Sequence, residues 1–225
     1  MRLCIPDHAV PPYVSEPGAE AGLSEQLLQH SAQAVGIALQ LLRQPPARCR
    51  RSIENGQVDV APMAASSTNL ADYDFPLHEG QVDANRRLLR IQLVVVRRRG
   101  DALQWDGQHF EPATPLLGIR LGQVVFSDRL KQLGLRPDAS AVQGEQLLRK
   151  LLARRVDAVL LFREEFEGLQ ARLPELAVEA LPQPFMVADM YLGASRRLDA
   201  ASRARVEAWW EQIGKWRDLP AYRPK

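Results

Sequence analysis

The sequence predicts an α/β protein of two related lobes, each a mainly parallel sheet flanked by helices. Three observations predict it. Short apolar runs of strand length alternate with segments of helical periodicity from the amino terminus onward, an order that gives parallel sheets with right-handed crossovers. A helix end, a tight turn and a short apolar strand occur at Asn55-Gly56-Gln57-Val58-Asp59-Val60-Ala61-Pro62-Met63. The same grammar returns in the second half at Arg154-Arg155-Val156-Asp157-Ala158-Val159-Leu160-Leu161. Finally, the first of these units runs into a polar segment, Ala64-Ala65-Ser66-Ser67-Thr68. It stands at the carboxyl end of its strand, where open α/β sheets bind ligands.

The elements follow in order. Leu3-Cys4-Ile5 is a short strand. Pro6-Asp7-His8-Ala9-Val10-Pro11-Pro12-Tyr13 is a loop stiffened by prolines, which hold Tyr13 in a defined place. His8 has no second ligand at metal spacing and reads as an ordinary loop histidine. Leu23 to Val35 is an amphipathic helix stopped by Gly36, and Ile37 to Leu42 reads as a strand. Pro45-Pro46 is a turn, and Arg48 to Asn55 a short helix closed by Gly56 in the left-handed conformation. Asp74-Phe75-Pro76 disfavours helix, and Leu88 to Val96 is a long apolar strand.

Arg97-Arg98-Arg99 beyond it reads as a solvated strand end. Leu103, Trp105 and Phe110 surround a turn at Gly107, and Leu116 to Leu121 is a strand. Helices follow at Phe126–Leu133 and Glu145–Ala153, the second ending on Arg154 and Arg155, which suit the negative pole of its dipole. Val156 to Leu161 is a strand and Phe162 to Leu173 a helix. Leu176 to Leu181 is extended, Pro182 and Pro184 make a stiff connector, and Met190 to Ala194 is another strand. The closing helix runs from Asp199 to Ile213 with Gly214 as its stop, and Trp209 and Trp210 are core.

The 225 residues suffice for one large core or two moderate ones, because domains usually hold about 100–200 residues. Hydrophobic residues make up 46% and charged residues 25%, the profile of an ordinary globular chain, and no apolar run approaches the roughly 20 residues that span a bilayer. A net charge of +2 leaves the 29 basic residues largely balanced, which argues against nucleic acid as a partner. No signal peptide is visible after Met1. Cys4 and Cys49 are the only cysteines. They are either two buried thiols or a bridge closing roughly 45 residues, which would contribute about 4 kcal/mol on the chain-entropy estimate.

In order and spacing the chain resembles the extracellular solute-binding proteins of family 3, periplasmic binding proteins of type II fold. The resemblance rests on Pro11-Pro12-Tyr13, Gly22-Leu23, Gly56-x-Val58-Asp59 with Thr68 downstream, and Gly118-Ile119-Arg120-Leu121-Gly122. It continues through Leu151 to Val159 and Tyr191-Leu192-Gly193. It implies two hinge crossovers, with residues 1–92 and 190–225 as lobe 1 and 93–189 as lobe 2, and a ligand in the cleft between lobes that close on it. It also places Cys4 and Cys49 where one branch of the family carries a cysteine pair, which favours the bridge.

The departures bear on the ligand. The family's amino-acid binders follow their threonine with an arginine that grips the α-carboxylate; here the run is Thr68-Asn69-Leu70-Ala71. The aspartate that takes the α-ammonium falls at Phe162, and the second-lobe threonine at Val124. Without those anchors both charges of a zwitterion would be desolvated unpaired, costing several kcal/mol in a closed cleft. A small polar or anionic solute other than a standard α-amino acid is therefore expected. It would be held by Tyr13, Ala64, Ser66, Ser67, Thr68 and Gly122, with Arg120 and Arg163 as further candidates.

The expected function is that of a periplasmic binding protein, signal peptide removed, serving an ABC-type transporter permease or a membrane sensor. It is expected to act as a monomer without cofactor, metal or catalytic residue. The alternative is a dehydratase-like enzyme on the same fold acting on a small carboxylic acid, for which only Asp7, His8, Glu164 and Glu165 offer themselves. A regulator-type effector lobe pair would need a DNA-binding segment, and none precedes Met1.

Overall fold

The computed structural model describes residues 1–121 and 127–224, with only the backbone of 127 and 128. The elements, in chain order, are β1 (Arg2–Pro6), α1 (Leu23–Ala34), β2 (Gln40–Gln44), α2 (Pro46–Glu54), β3 (Val60–Ala64), α3 (Ser67–Asp72), β4 (Tyr73–Asp74), β5 (Leu77–His78), β6 (Gln81–Val82) and β7 (Leu89–Arg98). They continue with β8 (Gln104–Trp105), β9 (Phe110–Glu111), β10 (Leu117–Arg120), α4 (Ser127–Gln132), β11 (Asp138–Ala141), α5 (Gly144–Leu152), β12 (Ala158–Phe162), α6 (Arg163–Arg172), β13 (Val178–Ser195) and α7 (Ala200–Trp216). The chain divides into two compact units, Met1–Arg90 with Asp189–Lys225, and Ile91–Ala188.

In the first unit β2, β1 and β3 run parallel, and the end of β13 lies antiparallel to β3, with Met190 opposite Ala64, and to β4, with Ser195 opposite Tyr73. Strand alternation divides the side chains between two cores. Leu3, Ile5 and Leu192 pack with Leu27, Leu28, Val206, Trp209, Trp210 and Ile213 of α1 and α7. Cys4, Met63 and Tyr191 point the other way, onto Cys49 and Ile53 of α2. Trp209 and Trp210 bury without stranding a donor, because their indole N–H groups donate to Ser31 Oγ (2.8 Å) and the Leu192 carbonyl (2.6 Å). Cys4 and Cys49 form a disulfide, with Cα atoms 5.7 Å apart. Gly56 adopts φ 70° beyond α2, as its place in the sequence required.

In the second unit β11, β10 and β12 run parallel, and β7 lies antiparallel to β12 with Leu93 opposite Phe162. Val94, Val96, Val159 and Leu161 pack on Leu147, Leu148 and Leu151 of α5 and on Phe166 and Leu169 of α6. The β8–β9 hairpin brings Trp105 and Phe110 together, ring centroids 4.4 Å apart, and Phe185 of β13 completes the cluster.

Several elements depart from the sequence expectation. The strand placed at Ile37 to Leu42 forms instead at Gln40–Gln44, because Ile37 tucks back under α1 and donates its N–H to the Ala32 carbonyl. Pro182 and Pro184 do not interrupt β13, one strand from Val178 to Ser195. In the second unit this stretch borders its sheet on one side only, and an edge tolerates proline. Gly214 does not stop α7, which continues to Trp216; its missing side chain admits the Asn85 carbonyl, which a Cβ would meet at 2.6 Å. β11 and the β5–β6 hairpin were not foreseen. Of the three arginines at the end of β7, Arg97 pairs with Glu179 and Arg98 with Asp101 while donating to the Leu151 and Val156 carbonyls, so only Arg99 is a solvated end. No helix of the described residues is long and apolar enough to cross a membrane.

Candidate functional site

Parallel strands aim their carboxyl ends, and the loops that follow, at one rim of a sheet. In the first unit β1 leads to Asp7 and His8, whose side chains meet at 3.2 Å, and β3 leads to Ala64, Ala65 and Ser66. Ser66 caps α3, its hydroxyl accepting from the Asn69 N–H at 3.2 Å, and the Asn69 amide donates to the Ala64 carbonyl at 2.8 Å. That hydroxyl is engaged by its own helix. Ser67 and Thr68 are exposed, as is Ala71, so at this rim the hydroxyls of 67 and 68 are the groups open to a solute.

The loop between β1 and α1 is held by one buried carboxylate. Glu25, 2% exposed, accepts from the Ser15 N–H (2.7 Å), the Ser15 hydroxyl (2.8 Å) and the Gly22 N–H (2.8 Å), and it pairs with Arg43 at 2.5 Å. Arg43 in turn donates to the Ser15 carbonyl at 2.9 Å. Within this frame the Tyr13 carbonyl accepts from both the N–H (3.1 Å) and the hydroxyl (2.7 Å) of Ser24, while its ring is buried in the core with Leu27 and Leu28. The loop is therefore fixed, and Tyr13 holds it from the inside.

In the second unit the rim carries Arg120 at the end of β10 and α6 directly after β12. Arg120 is 3% exposed and forms a salt bridge with Glu165, itself buried in the first turn of α6. Burial pushes the guanidinium down to about 10, so it remains a cation near neutral pH, facing the glutamate. The pair cancels the charge that Arg120 was expected to offer an anion. Arg163 is half-buried; its Nε donates to Gln92 Oε1 at 2.8 Å and Glu167 lies 3.9 Å away. Gly122 lies outside the described residues. Among those described, no group of three histidine, cysteine, aspartate or glutamate residues could hold a metal ion.

Sequence reasoning missed Glu25, Asn69, Gln92 and Arg43. Glu25 alone had a local signal, standing three residues after the glycine that opens the helix, the capping-box spacing. Asn69 bonds residues three and five positions before it, while the partners of Gln92 and Arg43 are distant in sequence.

No protein-family model matches the chain, and neither does any curated protein. Solved structures do. A histidine kinase sensor domain with similarity to periplasmic binding proteins aligns at TM-score 0.75 and 15% identity, over 98% of this chain and 91% of its own. The ligand-binding core of GluR0 from Nostoc punctiforme, in complex with L-glutamate, aligns at 0.72 and 14% over 98% and 93%. The arginine-, lysine-, histidine-binding protein ArtJ from Geobacillus stearothermophilus aligns at 0.71 and 14% over 95% and 87%. The shared feature is architecture: the chain has the two-lobe periplasmic-binding-protein fold.

Proposed function

We propose that this protein is a solute-binding protein of the periplasm that captures a small polar or anionic solute, other than a standard α-amino acid, for a transporter or a membrane sensor. The observation that carries the reading is the fold: two compact α/β units linked twice by strands, aligned along nearly the whole chain with ligand-binding and sensor structures. Residues 1–92 with 190–225, and 93–189, serve as the two lobes. The candidate solute-binding groups are the hydroxyls of Ser67 and Thr68 after β3, beside Ala64 and the cap Ser66, and the Arg163 guanidinium at the start of α6.

The charges support the exclusion of amino acids. Ala71 provides no cation for an α-carboxylate, Phe162 no anion for an ammonium, and Arg120 is neutralised by Glu165. Uncharged polar solutes and monoanions reaching Arg163 fit better than zwitterions. Capture shifts the protein toward a state that a permease or sensor recognises. A thermal-shift screen of amino acids, sugars, organic acids, osmolytes and short peptides tests this, since a ligand of the folded state raises its apparent stability. The expected hit is a non-zwitterionic polar solute; strong stabilisation by one α-amino acid, dependent on its ammonium and carboxylate, refutes the ligand class.

A further inference from the structure

The register of the second unit sets three apolar side chains level at its rim. Leu121 follows β10 and donates its N–H to the Ala141 carbonyl at 2.8 Å, which places it opposite Val142, the residue after β11. On its other side β10 pairs with β12, Gly118 opposite Val159, and the same register carries Leu121 level with Phe162 at the end of β12. Register partners share a face of a sheet, so Val142, Leu121 and Phe162 form one row across three neighbouring strands, about 10 Å from end to end.

One residue back, Arg120, Ala141 and Leu161 point to the opposite face. There Arg120 meets Glu165, and Ala141 and Leu161 join the core beneath α5 and α6. On the face of the row, Ile119 and Leu160, two residues back, are buried, whereas Leu121 is 64% and Val142 50% exposed and Phe162 is half-buried. A single exposed leucine is ordinary, but a row in register at the rim where α/β sheets take ligands is a surface for an apolar group to cover. The row ends on a charge. Arg163 follows Phe162 directly; its Nε donates to Gln92, and its Nη1 stands 3.9 Å from Glu167, beyond hydrogen-bonding distance.

We propose that Phe162, Leu121 and Val142 take the apolar tail of the solute and Arg163 its head, which makes the solute a monocarboxylate with an aliphatic chain. This rests on the solute-binding reading and narrows its polar or anionic solute to an amphiphile. A guanidinium at one end of an apolar row complements a carboxylate at one end of an apolar chain. With C–C bonds of about 1.5 Å an extended octanoate chain is about 9 Å long, close to the length of the row.

Calorimetric or NMR titration of the full chain with butyrate, hexanoate and octanoate tests this. Affinity should rise about three- to fourfold with each methylene, the effect of burying one CH2 group. Leu121→Ser and Val142→Ser, at exposed positions where Tm should not change, should each weaken octanoate about fivefold and flatten the dependence on chain length. Arg163→Gln should weaken all three acids alike, by about tenfold. Trimethyloctylammonium, with the same tail and the opposite charge, should not bind. Equal affinity along the series, octanoate binding untouched by both serine variants, or equal binding of the ammonium compound overturns the proposal. So does a dimer in sedimentation that Leu121→Ser disperses, which assigns the row to a second copy. These results leave the solute-binding reading open to another solute, whereas a screen in which no compound of any class raises Tm refutes that reading itself.

Discussion

Removing the disulfide with Cys4→Ala and Cys49→Ala should destabilise the first unit and spare the second. The bond joins β1 to α2 across a sequence separation of 45, and on the chain-entropy estimate a loop of that length contributes about 4 kcal/mol. That is a large share of the roughly 5–15 kcal/mol a domain holds. With a urea dependence of about 2 kcal/mol per molar, the midpoint of the first unit should fall by about 2 M. Fluorescence separates the units, because Trp209, Trp210 and Trp216 lie in the first and Trp105 in the second. Urea titrations of the double variant in a Trp105→Phe background report the first unit alone, and hydrogen–deuterium exchange of peptides within 91–188 reports the second. A first-unit midpoint that moves by less than a quarter of the expected amount refutes the loop-entropy reasoning, and an equal fall in both units refutes the assignment of the bond to one of them.

Further outcomes follow from the same contacts. Glu165→Leu should cost about 3–5 kcal/mol by removing the carboxylate of a buried ion pair, and adding Arg120→Met should recover part of it; a double-mutant cycle in urea measures both. Gly22→Ala should cost about 1–3 kcal/mol, since a Cβ there runs into the backbone of Tyr13 and Val14, and calorimetry would show it as a lowered Tm. Lys150 and Ser140 hold the Asp138 carboxylate down at about 2, below its unfolded value, so its contribution is full above about pH 4 and is lost as pH falls toward 2. Asp138→Asn should flatten that part of the acid limb in urea midpoints taken from pH 5 to 2. Ser66→Ala should cost about 1 kcal/mol through the lost cap of α3, detectable as faster amide exchange at Asn69.

The architecture was legible because it rests on local regularities. The repeated helix–turn–strand units, the helical stripe of α5 and the paired tryptophans of α7 each state their environment within a few residues. What escaped depends on distant neighbours. The glycine of α7 looks like a stop until the Asn85 carbonyl is found against it, and the prolines of β13 look like breaks until that stretch proves to border its sheet on one side. Asp138 and Ser140 carry no apolar alternation, so β11 was invisible as a strand; its charge is matched by Lys150, from another element. At the candidate site the sequence pointed to residue types and could not show that Arg120 is taken by Glu165 or that Ser66 caps its own helix. Both facts are pairings, absent from any single segment.

The Glu25 anchor has a consequence for variation. One carboxylate and one guanidinium fix the loop between β1 and α1 at Ser15 and Gly22, and Ser24 fixes it at Tyr13. Residues 7–9, before those fixed points, and 16, 17, 19 and 20, between Ser15 and Gly22, carry little of the structure. They can be exchanged or lengthened while the frame stays in place, so the first unit holds a replaceable segment behind a permanent latch. Libraries randomised at 7–9, 16, 17, 19 and 20 should keep the parental Tm, whereas any that touch Glu25, Arg43 or Gly18, which holds φ 87°, should not.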